Sequence, residues 1–158
     1  IAIDAAPTQD GTIKLLTIPK TRTISRSIRP STTFHKYIQV LTPWEKYLLE
    51  GVHLFSSPFE LIQQVNQLPK SCQVLAVSDG SVKAGNITYG WVVGTETGTI
   101  FAKHYGIGSG PATSHRAEAW GMLSAALFLH HVHQYTRESN LPTTPSPIPL
   151  TFLSDNSG

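Results

Sequence analysis

A chain of 158 residues is enough for one domain of ordinary size, or for a small domain with an appendage. Hydrophobic residues make up 40% and charged residues only 14%, against about 25% in typical soluble proteins, which argues for a sizeable core and against a charged tail or coiled coil. No run approaches the roughly 18 apolar residues of a membrane helix, and a lone cysteine, Cys72, excludes an internal disulfide framework and a cysteine-built zinc site. The formal charge of +2 is uneven: residues 1–36 carry six basic groups (Lys14, Lys20, Arg22, Arg26, Arg29, Lys36) and two acids, whereas residues 37–158 carry six basic groups and eight acids. Residues 1–36 therefore read as a basic, extended leader, suited to solvent or to a polyanion backbone. Alternation around Ile13, Leu15 and Thr17 allows a short strand there, with no partner assignable.

Residues 37–70 read as a two-helix linker. Thr42-Pro43-Trp44-Glu45 is a capping box with proline at the first helical position, and that helix should run to about Glu50 and stop at Gly51. Ser57-Pro58-Phe59-Glu60 repeats the device and opens a helix to about Asn66 or Leu68. Trp44, Leu48, Leu49, Phe59, Leu61, Ile62 and Val65 supply apolar faces that need other elements to pack against.

From Gln73 the pattern turns to strands. Val74 to Val77 is a continuous apolar run that ends in a turn at Ser78-Asp79-Gly80-Ser81. Thr88 to Gly94 and Thr99 to Tyr105 are two further strands joined by a turn at Thr95 to Gly98. The longest helix runs from about Ser114 to His133, capped by Thr113 or Ser114. Four prolines between residues 139 and 149 mark a surface loop, and Leu150 to Leu153 is a fourth, buried strand. The order β-β-β-α-β implies a mixed sheet whose last strand returns parallel to an earlier one.

Three carboxylates carry the candidate chemistry. Asp79 and Asp155 each follow an apolar strand, so adjacent parallel strands would bring them out at one edge. Glu118 lies early in the long helix, on one face with Met122, Ala125, Leu129 and Val132, a face expected to lie against the sheet. Converging, desolvated acids need a cation, and an all-oxygen set selects hard ions such as Mg2+ or Mn2+. Taken singly, Asp79-Gly80 and Asp155-Asn156 are ordinary turn pairs and Glu118 an ordinary helix-dipole acid. The histidines 130, 131 and 133 are poorly spaced for one metal, and the Gly106 to Gly110 loop lacks the lysine of a P-loop.

Val77-Ser78-Asp79-Gly80-Ser81, the Gly90-Trp91 strand, Ser114-His115-Arg116-Ala117-Glu118 and Phe152-Leu153-Ser154-Asp155-Asn156 together resemble the ribonuclease H fold. The closest likeness is to the domains attached to retroelement reverse transcriptases. The resemblance covers residues 71–158 and implies an α/β ribonuclease H-like domain, cut after its fourth strand. It implies that Asp79, Glu118 and Asp155 are catalytic ligands of two Mg2+ ions. It also implies that Gly80, Ser81, Ser114, His115, Arg116 and Asn156 contact an RNA–DNA hybrid, whose RNA strand would be hydrolysed. The partner in the parent chain would be a reverse transcriptase, with no membrane involved. The family's fourth carboxylate and later elements lie beyond residue 158, so the chain alone is expected to turn over little. The carboxylate order Asp, Glu, Asp differs from that of integrases, and Ser81 differs from the Asp-x-Glu of proofreading exonucleases. The rival expectation is a silent module of the same fold that binds nucleic acid or braces a polymerase.

Overall fold

The computed structural model describes residues 33–138 and 150–154, with the backbone of 5–7 and 13–15. The two short N-terminal strands, β1 (Ala5–Pro7) and β2 (Ile13–Leu15), pair antiparallel, which supplies the partner that alternation around Ile13 could not name. Most of the expected leader and all of the proline-rich 139–149 segment lie outside the described residues.

Helix α1 (Phe34–Gln39) starts because the Thr33 hydroxyl accepts from the Lys36 N–H at 3.3 Å. Residues 34–36 are thus helical rather than extended, a correction that a threonine cap among flanking threonines and serines hid. Both capping boxes form. In α2 (Pro43–Leu49) the Thr42 N–H donates to the Glu45 carboxylate at 3.0 Å, and the Thr42 hydroxyl reaches the same oxygen. In α3 (Pro58–Gln67) the Ser57 N–H donates to Glu60 at 2.8 Å and the Glu60 N–H to Ser57 Oγ at 3.2 Å. Between them lies β3 (His53–Leu54), too short to show a period in sequence.

The remaining strands are β4 (Val74–Lys83), β5 (Asn86–Thr95), β6 (Ile100–Gly108) and β7 (Leu150–Ser154), with helix α4 (Ser114–Glu138) between the last two. They form a five-stranded mixed sheet in the order β3-β6-β5-β4-β7, with β7 parallel to β4 and every other pair antiparallel. The expected turn at Ser78 to Ser81 is overturned: β4 runs straight through it to Lys83. The chain reverses instead at Ala84-Gly85, both at positive φ, as a two-residue hairpin demands.

Residues Val74, Ala76 and Ser78 of β4, Tyr89, Trp91 and Val93 of β5, and Phe101 and His104 of β6 are buried. The alternate residues Val77, Val92, Tyr105, Ile107 and Leu153 are exposed, so one face of the sheet is covered and the other open. Phe34, Leu49 and Leu61 from the three short helices join Val93, Phe101, Phe128 and Val132 in a single hydrophobic cluster. The segment read as a linker therefore shares its core with the sheet and α4. Trp44, expected on an apolar helix face, is exposed. No described helix is long and apolar enough to cross a membrane.

Two polar threads run through this core. Trp91 Nε1 donates to Ser124 Oγ at 2.8 Å, and Ser124 donates on to the Leu48 carbonyl at 2.7 Å, tying β5, α4 and α2. The Tyr37 hydroxyl meets His131 Nδ1 at 2.8 Å, and His131 Nε2 meets Glu45 Oε1 at 3.2 Å. A neutral His131 with its proton on Nε2 satisfies both contacts. Burial holds the His131 pKa below its ordinary value of 6.5, against the pull of Glu45. Burial likewise lowers His104, against a backbone hydrogen bond to Gly51.

The sign of the pH dependence follows. As pH falls below about 6.5 the unfolded chain binds protons that the folded chain resists, so stability present above that value is lost on acidification. Denaturant melts at pH 7 and pH 5 should show lower stability at pH 5, with a shallower loss in His131→Gln or His104→Gln. An unchanged pH slope in both variants contradicts this assignment.

Candidate active site

The site is built on β4 and on the first turns of α4. Asp79 lies within β4, exposed on the open face, in register with Gly90 of β5. The next residue, Gly80, faces α4. A Cβ there would collide with the Ala117 carbonyl carbon and stand 2.5 Å from the Glu118 nitrogen. Glycine is what lets the helix backbone settle on the strand at this point. The contact brings the Glu118 backbone beside the residue that follows Asp79. Gly80, expected to touch nucleic acid, thus has a packing duty of its own.

Glu118 is half-buried, and the face assigned to it needs correction. Met122 is 39% exposed, and the stripe packed inward runs through Ala117, Gly121, Ser124, Ala125, Phe128 and Val132. Glu118 therefore flanks the buried stripe instead of pointing along it. Small and polar residues (Gly121, Ser124) occupy the closest approach to the sheet, and hydrophobicity alone rotated the expected face by about one residue.

Of the two expected caps of α4, Thr113 rather than Ser114 serves: its Oγ1 accepts from the Arg116 N–H at 3.3 Å and its carbonyl from the Ala117 N–H at 3.0 Å. Ser114, His115 and Arg116 are all exposed on this turn. His115 and Arg116 line a shallow groove with Thr113, Trp120 and Leu123. The Trp120 indole donates to the Ser109 carbonyl at 3.1 Å, anchoring the preceding loop. Ser81 is exposed and shares a second groove with Asp79, Thr88, Gly90 and Tyr105. Tyr105 went unnoticed in the sequence; alternation separates it from His104, but nothing local says which face stays open.

The parallel register of β4 and β7 pairs Val77 with Leu153 and Ser78 with Ser154. Ser78 and Ser154 are the residues immediately before Asp79 and Asp155 in sequence. Asp155 and Asn156 themselves lie outside the described residues. Among the described residues no three His, Cys, Asp or Glu side chains gather as a metal-binding group. Asp79 and Glu118, the two described members of the expected set, offer only carboxylate oxygens, the donor type that hard divalent cations take. No protein-family model, curated protein or solved structure was found to match the chain.

Proposed function

We propose that this chain carries a ribonuclease H-like domain that hydrolyses the RNA strand of RNA–DNA hybrids, in a polypeptide that also contains a reverse transcriptase. The observation that supports this reading best is the parallel β4–β7 register, which pairs the two serines that precede Asp79 and Asp155. The packing of Gly80 against Ala117 and Glu118 supports the inclusion of the helix acid. Asp79, Glu118 and Asp155 would hold two Mg2+ ions, with Mn2+ as the substitute. When bound, such ions supply an activated water and stabilise the leaving 3′ oxygen.

The rest falls to side chains of the protein. Arg116 offers a planar guanidinium that can clamp a phosphate through two N–H donors. Ser81, Ser114, His115 and Asn156 are short polar groups suited to sugar hydroxyls and backbone oxygens, and 2′-hydroxyls in the wide minor groove would mark the RNA strand. Gly80 keeps the two acid-bearing elements at backbone contact.

The test is cleavage of an end-labelled hybrid in Mg2+ by a protein that includes these residues. Asp79→Asn should lower the rate by more than about 100-fold, since loss of an outer-shell partner alone costs roughly 10–100-fold. Equal cleavage by the Asn variant eliminates the assignment. Hybrid binding without cleavage by either protein would instead favour the silent module.

A further inference from the structure

Ser78 and Ser154 stand directly opposite each other where β4 and β7 run parallel. Both hydroxyl oxygens are buried, and neither has a hydrogen-bond partner. The covered side of this strand pair is otherwise apolar, formed by Val74 and Ala76 of β4 and by Leu150 and Phe152 of β7. Gly121 of α4 closes over Ser78: an added Cβ there would stand 3.1 Å from the serine Cβ and 3.6 Å from its Oγ. The helix backbone thus lies on Ser78 and shields its hydroxyl from bulk water, in keeping with an exposure of 2%. A buried hydroxyl without a partner costs free energy, so two of them on one rung are either a double penalty or a pair.

Geometry favours the pair. Neighbouring strands lie about 4.8 Å apart, and each serine hydroxyl can swing among three staggered positions, so the gap is spanned by a direct O–H···O bond or by one water. Other registers lack this match. A slip of one residue would turn every side chain of β7 to the opposite face, which the inward Leu150 and Phe152 oppose. A slip of two keeps the faces but sets Ser78 against Phe152 and Ser154 against Gly80, or Ser78 against Asn156 and Ser154 against Ala76. Phe152, Gly80 and Ala76 have no side-chain group to bind a hydroxyl, so either slip leaves at least one serine unmatched. We propose that Ser78 and Ser154 are positioning residues, whose hydroxyls join across the β4–β7 rung, directly or through one shared water, and so select this register of the last strand over one shifted by two residues. The choice of register stands apart from catalysis; its use, to let the aspartates that follow the two serines meet, rests on the nuclease reading above.

Ser78→Ala and Ser154→Ala should each lower the folding equilibrium constant of the 158-residue chain roughly 5- to 150-fold in urea melts, because each leaves the other hydroxyl alone. The double variant should regain most of that loss, since no hydroxyl remains to be satisfied. Register is read separately, by disulfide formation in a glutathione buffer in a Cys72→Ser background. Val77, Thr151 and Leu153 are all exposed and suit this purpose. Val77→Cys with Leu153→Cys places two thiols directly opposite each other, within the reach of a disulfide. Val77→Cys with Thr151→Cys places them about 8 Å apart by Cα, beyond that reach, but directly opposite after a two-residue slip. The first pair should oxidise and the second should not, and replacing both serines by alanine should raise oxidation of the second. Neutral or stabilising single variants, a double variant that loses the sum of the two single losses, or a second thiol pair indifferent to the serines would overturn the pairing. Coupled serines in a chain that never cleaves hybrid remove only the nuclease reading, whereas cleavage with uncoupled serines removes only the pairing.

Discussion

Phe128→Ala should lower the unfolding free energy by about 3–5 kcal/mol, the cost of emptying a fully buried phenylalanine site. Phe128 has no exposed surface, and it stands where the N-terminal helices meet the sheet. Its ring meets Phe34 of α1 edge-on at 6.1 Å and tilts against Trp91 of β5 at 5.0 Å. Collapse of the cavity is hindered, because one of its walls, Trp91, is held by the Trp91–Ser124–Leu48 thread. Urea melts followed by far-ultraviolet circular dichroism and by tryptophan fluorescence should give one coincident transition for both proteins. A separate transition belonging to α1–α3 would show that the helical segment folds apart from the sheet, against the shared core described above.

Gly80→Ala is the second substitution expected to cost heavily, about 3 kcal/mol, at the upper end of the range for overpacking. The added methyl would press on main-chain atoms of Ala117 and Glu118, which cannot rotate aside as a flexible side chain would. Relief requires the first turns of α4 to lift from β4, carrying Glu118 with them. In a protein that cleaves hybrid, the rate should fall with the stability. By contrast, an added Cβ at Gly85 meets nothing within 4 Å, so any penalty there comes only from its positive φ. Equal stability of Gly80→Ala and the natural chain would show that the helix does not depend on this contact.

What the sequence disclosed was mostly local. Both capping boxes were legible because threonine or serine, proline and glutamate act within one turn of chain, with no help from the rest of the molecule. The three antiparallel strands, the long helix and the parallel return of the last strand were legible from period and order. Asp79-Gly80 was misread because the same dipeptide serves tight turns and close backbone approaches, and only the position of α4 decides between them. The phase of α4 was misjudged for a related reason. Its inner stripe uses Gly121, Ser124 and His131, chosen for closeness and hydrogen bonding, so a count of apolar residues points elsewhere. The Tyr37–His131–Glu45 thread joins residues from three helices, and no spacing in the chain announces it. The approach of the Glu118 backbone to β4 was expected from the carboxylate pattern, whereas the row of Asp79, Gly90 and Tyr105 depends on a register that sequence does not display.

The parallel pairing of β4 with β7 also bears on when the protein becomes whole. Strands β4, β5 and β6 meet across tight reversals, while Val74 and Leu150 find each other across more than seventy intervening positions. Joining distant segments carries the larger closure entropy, and such contacts tend to be made late. The meander and its helix can assemble first, with the Glu118 backbone already packed on Gly80. The β4 side of the sheet then stays unpaired until the last strand arrives, so a newly synthesised chain passes through a stage that is ordered but open along one edge.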